Sequence, residues 1–175
     1  ENLSWNNLNF NTNKVIYDVA INNPHIEVVI KCKYQDYDDC LFKFSSFGKI
    51  PKNIKINYEN SAFSLISVSD LVCAFNTTAI IESSVAGKEV ITPNFDEAIV
   101  TKYKKYLIDF GDLTIKCNSQ FDLKDLIIRK LKKPLVPYFK ISDSKLDVIN
   151  YWTSNTKGNA RNILQSKTLK IINEK

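Results

Sequence analysis

The sequence predicts an α/β fold in which helices cover both faces of a parallel β-sheet. Short apolar segments alternate with segments that place apolar residues at helical spacing, and several of the short segments are apolar on both strand faces. Glycine and proline mark many of the boundaries between them. At 175 residues the chain is long enough for one domain with a hydrophobic core, so we predict a single domain over residues 1–175.

The first half of the chain shows this alternation clearly. Val15, Ile16 and Val19 form a helical stripe that ends at Pro24, and Gly48 is the expected stop of the following helix. The predicted helices of this half are 11–23, 37–47 and 61–69. The predicted strands are 26–30, 53–57 and 70–75.

The alternation continues in the second half. A predicted helix over 77–86 ends at Gly87, where a glycine in the left-handed conformation is expected. The predicted strands of this half are 89–92 and 113–117. The remaining predicted helices are 96–106, 123–131, 144–152 and 159–172. Elements in this order predict a Rossmann-like domain, which binds its ligands beyond the carboxyl ends of the strands.

The turn after the third predicted strand is the most informative part of the chain. Asn76, Thr77 and Thr78 stand where a helix begins, and the free N–H groups and dipole of a helix N-terminus favour an anion such as phosphate. Glu82 lies one turn further on the same face, within reach of the hydroxyls of a sugar joined to that phosphate. The spacing predicts a nucleotide or nucleotide-sugar site. The plainer interpretation is that the threonines cap the helix and that Glu82 is an exposed charge.

Basic residues elsewhere are candidates for the same site. Lys31 and Lys33 alternate at the end of the first predicted strand, so one of them is expected to face the ligand and neutralise phosphate. Arg161 begins the last predicted helix, where its guanidinium group can hold a diphosphate or a carboxylate through two hydrogen bonds. The plainer interpretations are strand-edge lysines that keep the protein soluble and a surface arginine.

Asparagine and acidic residues follow the strand that Pro93 bounds. Sugar hydroxyls need hydrogen-bond acceptors, so this loop is expected to line the sugar part of the site through Asn94, Asp96 and Glu97. Acidic residues are also common in loops that bind nothing. The loop is therefore a weaker candidate than the turn at Asn76.

Composition argues against several classes of function. Lys and Arg number 24 against 19 Asp and Glu, and the net charge of +5 is spread along the chain without a compact basic run, so nucleic-acid binding is not expected. The four cysteines and one histidine lack metal-ligand spacing, so no metal is expected, and reduced thiols fit the cytoplasm. No apolar run approaches the roughly 20 residues that cross a bilayer. The chain has no methionine, and we expect it to be a fragment or processed product of a longer protein.

Two segments carry a resemblance to a known family. Residues 70–82, DLVCAFNTTAIIE, and 86–93, AGKEVITP, resemble the donor-binding half of bacterial surface-carbohydrate glycosyltransferases of the GT-B type, which have two Rossmann-like domains. Residues 27–34, EVVIKCKY, resemble a segment that reads Lys-x-His-Pro in capsule-type relatives, and 155–161, NTKGNAR, resemble a further segment of that group. The chain departs from the family pattern where Lys33 and Tyr34 replace His-Pro, and where Glu89 replaces a proline.

The resemblance implies that the chain is the C-terminal, nucleotide-sugar-binding half of a glycosyltransferase that builds a capsule, O-antigen or related glycan. It implies that a nucleotide sugar is the donor, that no metal or other cofactor is needed, and that a missing N-terminal domain supplies the catalytic base. The acceptor would be a glycan or a lipid-linked glycan, in the cytoplasm or at the inner face of the membrane. Two alternatives stay open: an enzyme similar to nucleotide-sugar epimerases, and a non-catalytic Rossmann-like binding module.

Overall fold

A computed structural model of the chain describes residues 4–132 and 142–153. Within these residues, helices and strands alternate along the chain. The helices are α1 Asn6–Asn22, α2 Tyr37–Ser46, α3 Ala62–Val68, α4 Ala79–Val85, α5 Thr101–Lys104, α6 Gln120–Leu131 and α7 Asp143–Thr153. The strands are β1 Val28–Lys31, β2 Ile54–Asn57, β3 Leu71–Cys73, β4 Glu89–Pro93 and β5 Ile115–Cys117. Three short 3₁₀ helices complete the described elements: Tyr34–Asp36, Asp96–Ile99 and Gly111–Leu113.

Every strand pair of the described residues is parallel, which confirms the α/β class with parallel strands. β1 pairs with β2, and β3, β4 and β5 pair in that order. The strands therefore form two small sheets, whereas the sequence predicts one continuous sheet. β3 is only three residues long, so its second edge offers few backbone groups to a further strand.

Helices cover both faces of the three-stranded sheet, as predicted. Neighbouring residues of β4 point to opposite faces because side chains alternate along a strand. Ile91 packs into a core with Val19 of α1 and Leu123 of α6. On the other face, Val90 packs into a second core with Ile80 of α4 and with residues of α7. The middle of β4 is therefore apolar on both faces, at Val90 and Ile91.

Helix α1 packs against both sheets. Its residues Leu8, Val15 and Val19 belong to the core beneath the three-stranded sheet. Its residues Tyr17 and Ala20 pack instead with α2 and with β2 in a separate core. One amphipathic helix thus contributes to two hydrophobic cores, and its position fixes how they are arranged.

The predicted helix over 96–106 is divided in the structure. The 3₁₀ helix Asp96–Ile99 and α5 are separated by Val100, whose backbone is extended at φ −77° and ψ 126°. Ile99, Val100 and Thr101 are consecutive β-branched residues, which lose side-chain freedom in a helix and favour the break. The other predicted elements of the described residues are present with shifted ends, and the predicted helix over 159–172 lies outside them.

Gly48, just beyond the end of α2, is expected to be intolerant of a side chain. Its φ is +136°, and a Cβ added there would lie 2.6 Å from the hydroxyl oxygen of Tyr17. We expect Gly48→Ala to lower the free energy of unfolding by about 2 to 3 kcal/mol, because backbone strain and a steric clash act together. Urea denaturation followed by circular dichroism measures this loss.

Two further variants separate strain from clash. Gly111→Ala also has a positive φ, of +47°, but the nearest atom to its Cβ is on Val148 at 3.5 Å, an ordinary contact. We expect it to cost only about 1 kcal/mol. Tyr17→Phe removes the clashing hydroxyl and also its hydrogen bond to the carbonyl oxygen of Lys49. Gly48→Ala should therefore cost less in the Tyr17→Phe background than in the wild type. Equal costs for the two glycine variants, and an unchanged cost of Gly48→Ala in the Tyr17→Phe background, would contradict this explanation.

Candidate functional site

A cleft of about 170 Å³ opens where β3 and β4 end. Ligands of parallel α/β sheets bind beyond the carboxyl ends of the strands, so the cleft is in the expected place. Its apolar walls come from Phe75, Pro93, Leu107, Ile108 and Phe110. Its polar lining comes from Asn76, Thr92, Asn94, Asp109, Thr114 and Lys116.

The strand register explains why polar side chains gather in the cleft. Thr92 and Lys116 are partners in the β4–β5 ladder, so their side chains lie on the same face of the sheet. Thr114 precedes Lys116 by two residues and shares that face. These three residues are not among the site residues predicted from the sequence. Their signal was that Thr92, and the alternating pair Thr114 and Lys116, are polar residues within predicted strands that are otherwise mostly apolar.

Asn76 lines the cleft, but its side chain is hydrogen-bonded to the backbone of a neighbouring loop. Its φ is +49°, a conformation that asparagine tolerates better than most residues. Its side-chain Nδ2 donates to the carbonyl oxygen of Tyr106 at 3.0 Å, and its Oδ1 accepts from the N–H of Ile108 at 2.8 Å. Asn76 therefore holds in place the loop at 106–110 that forms one wall of the cleft.

The other three residues of the predicted turn site do not line this cleft. Thr77 Oγ1 accepts from the N–H of Ala79 at 3.4 Å, whereas Thr78 begins α4 without a side-chain capping bond. Glu82 is exposed on α4. Helix α4 has seven residues, which makes its dipole contribution modest. Phosphate binding at the turn stays a prediction, and it is separate from the cleft because these three residues do not line the cleft.

The basic candidates also lie apart from the lining of the cleft. Lys31 Nζ, at the end of β1, donates to the carbonyl oxygens of Cys32 at 2.5 Å and Tyr58 at 3.2 Å. Lys33 is exposed just before the 3₁₀ helix that follows β1. Arg161 lies outside the described residues. Among the residues of the cleft that the structure describes, Lys116 is the one cation.

Glu97 does not line the cleft, although the sequence predicts that it contacts the sugar. It is buried, and its Oε1 and Oε2 accept the backbone N–H groups of Asn7 at 2.9 Å and Leu8 at 2.7 Å. These donors are in the first turn of α1, so Glu97 caps that helix. Burial opposes ionisation, but the hydrogen bonds from Asn7 and Leu8 outweigh it and lower the pKa of the carboxyl group from its ordinary value. A carboxylate engaged in this way is not available to a ligand.

Acid and amide groups around the cleft have defined partners. Asp109 Oδ1 accepts from the N–H of Gly111 at 3.0 Å and lies 4.0 Å from Lys116 Nζ. Both side chains of this ion pair are largely exposed, so it contributes at most about 1 kcal/mol and leaves the ammonium group open to a ligand. Asn94, which the sequence placed at the sugar part of the site, does line the cleft, and its Nδ2 donates to Asn118 Oδ1 at 2.7 Å.

Two cysteines in the three-stranded sheet are poor nucleophiles at neutral pH. Burial, and to a smaller extent Cys117, raises the pKa of Cys73 to about 12. Burial, with a smaller effect of Asp122, raises the pKa of Cys117 to about 11. Thiols with such pKa values stay protonated at pH 7 and do not attack electrophiles. We therefore assign neither cysteine to a covalent mechanism.

The cleft offers hydroxyl, amide and carboxylate groups together with one ammonium group. These groups suit a ligand that carries both an anionic group and hydroxyls, such as a phosphorylated sugar. In the part of the chain that the structure describes, no three His, Cys, Asp or Glu side chains are placed to hold a metal ion. Over the same residues, no helix is both long and apolar enough to cross a membrane. Comparison with protein-family models, with curated proteins and with solved structures finds no match.

Proposed function

We propose that this chain is the nucleotide-sugar-binding half of a glycosyltransferase of surface-carbohydrate biosynthesis, and that the cleft holds part of the donor. The observation that carries the proposal is the position of the cleft, at the carboxyl ends of parallel strands, where α/β domains bind nucleotides. The resemblance of residues 70–93 to the donor-binding half of such enzymes supplies the class of ligand.

The residues of the cleft suggest which part of the donor each of them would bind. Lys116 would neutralise a phosphate group, while Thr92, Thr114 and Asn94 would hydrogen-bond hydroxyls of the ribose or the sugar. A volume of about 170 Å³ is below the roughly 300 Å³ of a pocket that encloses a whole small ligand, so the cleft suits a phosphate and one sugar ring. An ammonium group there would stabilise the charge that develops on the phosphate as the glycosidic bond breaks.

A second candidate function is binding without chemistry. Asp109 is the one carboxylate among the described residues that line the cleft, and it lies beside Lys116. A general base for glycosyl transfer is usually a carboxylate or histidine close to the acceptor, and a carboxylate paired with the cation that holds the phosphate suits that task poorly. This favours a module that binds the nucleotide while another domain performs the reaction, or while no reaction follows.

A thermal-shift panel with CMP, CDP, UMP, UDP, GMP, GDP and ADP tests the proposal. We expect nucleotides of one base to raise the melting temperature in a saturable way, by the equivalent of about 2.7 kcal/mol at a hundred times the dissociation constant. Lys116→Ala should lose about half of this stabilisation or more, and Glu82→Ala should keep all of it. The reverse pattern would place the ligand at residues 77–82, outside the cleft. If no nucleotide stabilises the folded chain, the proposal is overturned.

A further inference from the structure

Three tyrosines form a cluster at the carboxyl ends of β1 and β2. Tyr34 and Tyr37 follow β1, and Tyr58 follows β2 directly. The ring centroids of Tyr34 and Tyr58 are 5.3 Å apart with an interplanar angle of 71°, and those of Tyr37 and Tyr58 are 4.9 Å apart at 74°. Edge-to-face packing of this kind fixes the rings relative to one another. We call these residues the tyrosine cluster; none of them lines the cleft.

Packing of the protein interior does not account for the tyrosine cluster. Tyr34 is 78% exposed, and Tyr37 and Tyr58 are partly exposed. A ring with that exposure adds little to a hydrophobic core, yet Tyr34 is held at a set angle against a second ring. The tyrosine cluster thus presents to solvent an aromatic ring that already contacts its neighbour.

The charges around the tyrosine cluster have both signs. Lys31 Nζ donates to the carbonyl oxygen of Tyr58, and Lys33 precedes Tyr34 in the chain. Asp36 lies between Tyr34 and Tyr37 in the 3₁₀ helix, and Glu59 is close enough to raise the pKa of the Tyr58 phenol. Side chains that donate and accept hydrogen bonds therefore lie within three residues of these tyrosines along the chain.

This combination selects among ligand classes. A nucleic acid would be repelled by the carboxylates of Asp36 and Glu59, because its binding depends on uncompensated cations. The core of a protein interface is depleted in charged side chains, whereas charged residues directly adjoin each of these tyrosines in the chain. A neutral sugar fits both features, since its C–H face packs on an aromatic ring and its hydroxyls bond donors and acceptors alike.

We infer that the tyrosine cluster is a binding platform for a neutral sugar residue of a glycan, separate from the cleft at β3 and β4. The sugar stacks on the open face of Tyr34, and its hydroxyls reach Lys33 and the carboxylates of Asp36 and Glu59. This inference does not depend on the proposed function.

Saturation-transfer NMR on the whole chain tests this inference. The probes are the methyl glycosides of glucose, galactose, N-acetylglucosamine and N-acetylgalactosamine at millimolar concentration. We expect a saturable signal from the ring protons of at least one glycoside, and Tyr34→Ala to weaken its binding by about tenfold. Tyr151→Ala is the matched control, because Tyr151 on α7 is equally exposed, at 80%, and lies outside the tyrosine cluster. Tyr34→Phe keeps the ring and should keep most of the binding.

Three results would overturn the inference. They are the lack of a saturable signal with every glycoside, an equal loss in Tyr34→Ala and Tyr151→Ala, and displacement of the glycoside by a nucleotide that occupies the cleft. Thermal unfolding of each variant checks that it is folded. The nucleotide-induced shift of the melting temperature should be unchanged in Tyr34→Ala, so failure of sugar binding and failure of nucleotide binding can be told apart.

Discussion

Replacing Glu97 with alanine is expected to lower the free energy of unfolding by about 3 kcal/mol. The carboxylate accepts two backbone N–H groups at the start of α1, and hydrogen bonds to a charged group contribute about 1.5 to 3 kcal/mol each. Trp5, the residue that precedes the helix, makes no side-chain capping bond, and the first turn of α1 contains no acidic residue. Glu97 therefore supplies a cap that the local sequence of α1 lacks.

Urea denaturation of two further variants distinguishes the loss of the helix cap from the effect of removing any glutamate. Glu97→Gln keeps the shape and one acceptor oxygen but places an NH₂ group against a backbone donor, so an intermediate loss is expected. Glu82→Ala removes an exposed glutamate from α4 and should change the free energy of unfolding by less than about 0.5 kcal/mol. If Glu97→Ala were no more costly than Glu82→Ala, Glu97 would have no capping role.

The contribution of Glu97 is also expected to depend on pH. Its pKa is lowered in the folded protein, so the folded state favours the carboxylate more than the unfolded chain does. This stabilisation is complete above the ordinary glutamate pKa of 4.5 and is lost as the pH falls below it and through the folded-state value. The difference in unfolding free energy between the wild type and Glu97→Gln should therefore be largest near pH 7 and shrink in acid.

Replacing Lys116 with alanine is expected to weaken nucleotide binding by about tenfold to a hundredfold, without a large effect on stability. Lys116 is the one cation among the described residues that line the cleft, and removing a charge-assisted contact with phosphate costs about 1.5 to 3 kcal/mol. Its side chain is 55% exposed and its ion pair with Asp109 is long, so folding should be little affected. Isothermal titration calorimetry gives the affinity.

A matched lysine elsewhere serves as the control for this measurement. Lys124 is exposed on α6 and does not line the cleft, so Lys124→Ala should bind the nucleotide as the wild type does. Lys116→Arg keeps the charge and should retain most of the affinity. Equal losses in Lys116→Ala and Lys124→Ala would mean that net charge, and not the cleft, attracts the ligand.

The order of elements was readable from the sequence because it depends on local patterns. The left-handed glycine after α4 is confirmed at Gly87, with φ +72°. Contacts between distant residues were not readable in the same way. Glu97 and Asn7 are 90 positions apart, and nothing near Asn7 signals that its N–H needs a distant partner. The division of the strands into two sheets likewise depends on how β1 and β3 are placed in space.

The candidate site was predictable only in part, for the same physical reason. Asn76 and Asn94 come within three residues of the ends of β3 and β4, so the rule for parallel sheets placed them at the edge where the cleft opens. Lys116 reaches the cleft through its ladder pairing with Thr92, and a pairing register cannot be read from a single strand. The turn residues Thr77, Thr78 and Glu82 are arranged along the chain as expected, but the cleft forms beside them rather than on them.

An NMR titration of the isotopically labelled chain with the nucleotide that gives the largest thermal shift would locate the binding site. The proposal predicts that amide resonances move in a saturable way at residues 75–76, 92, 94, 107–110 and 114–116, which surround the cleft. Saturable shifts confined to other residues, such as the turn at 77–82 or the end of β1, would contradict it. So would a spectrum that does not change at nucleotide concentrations far above those that saturate the thermal shift.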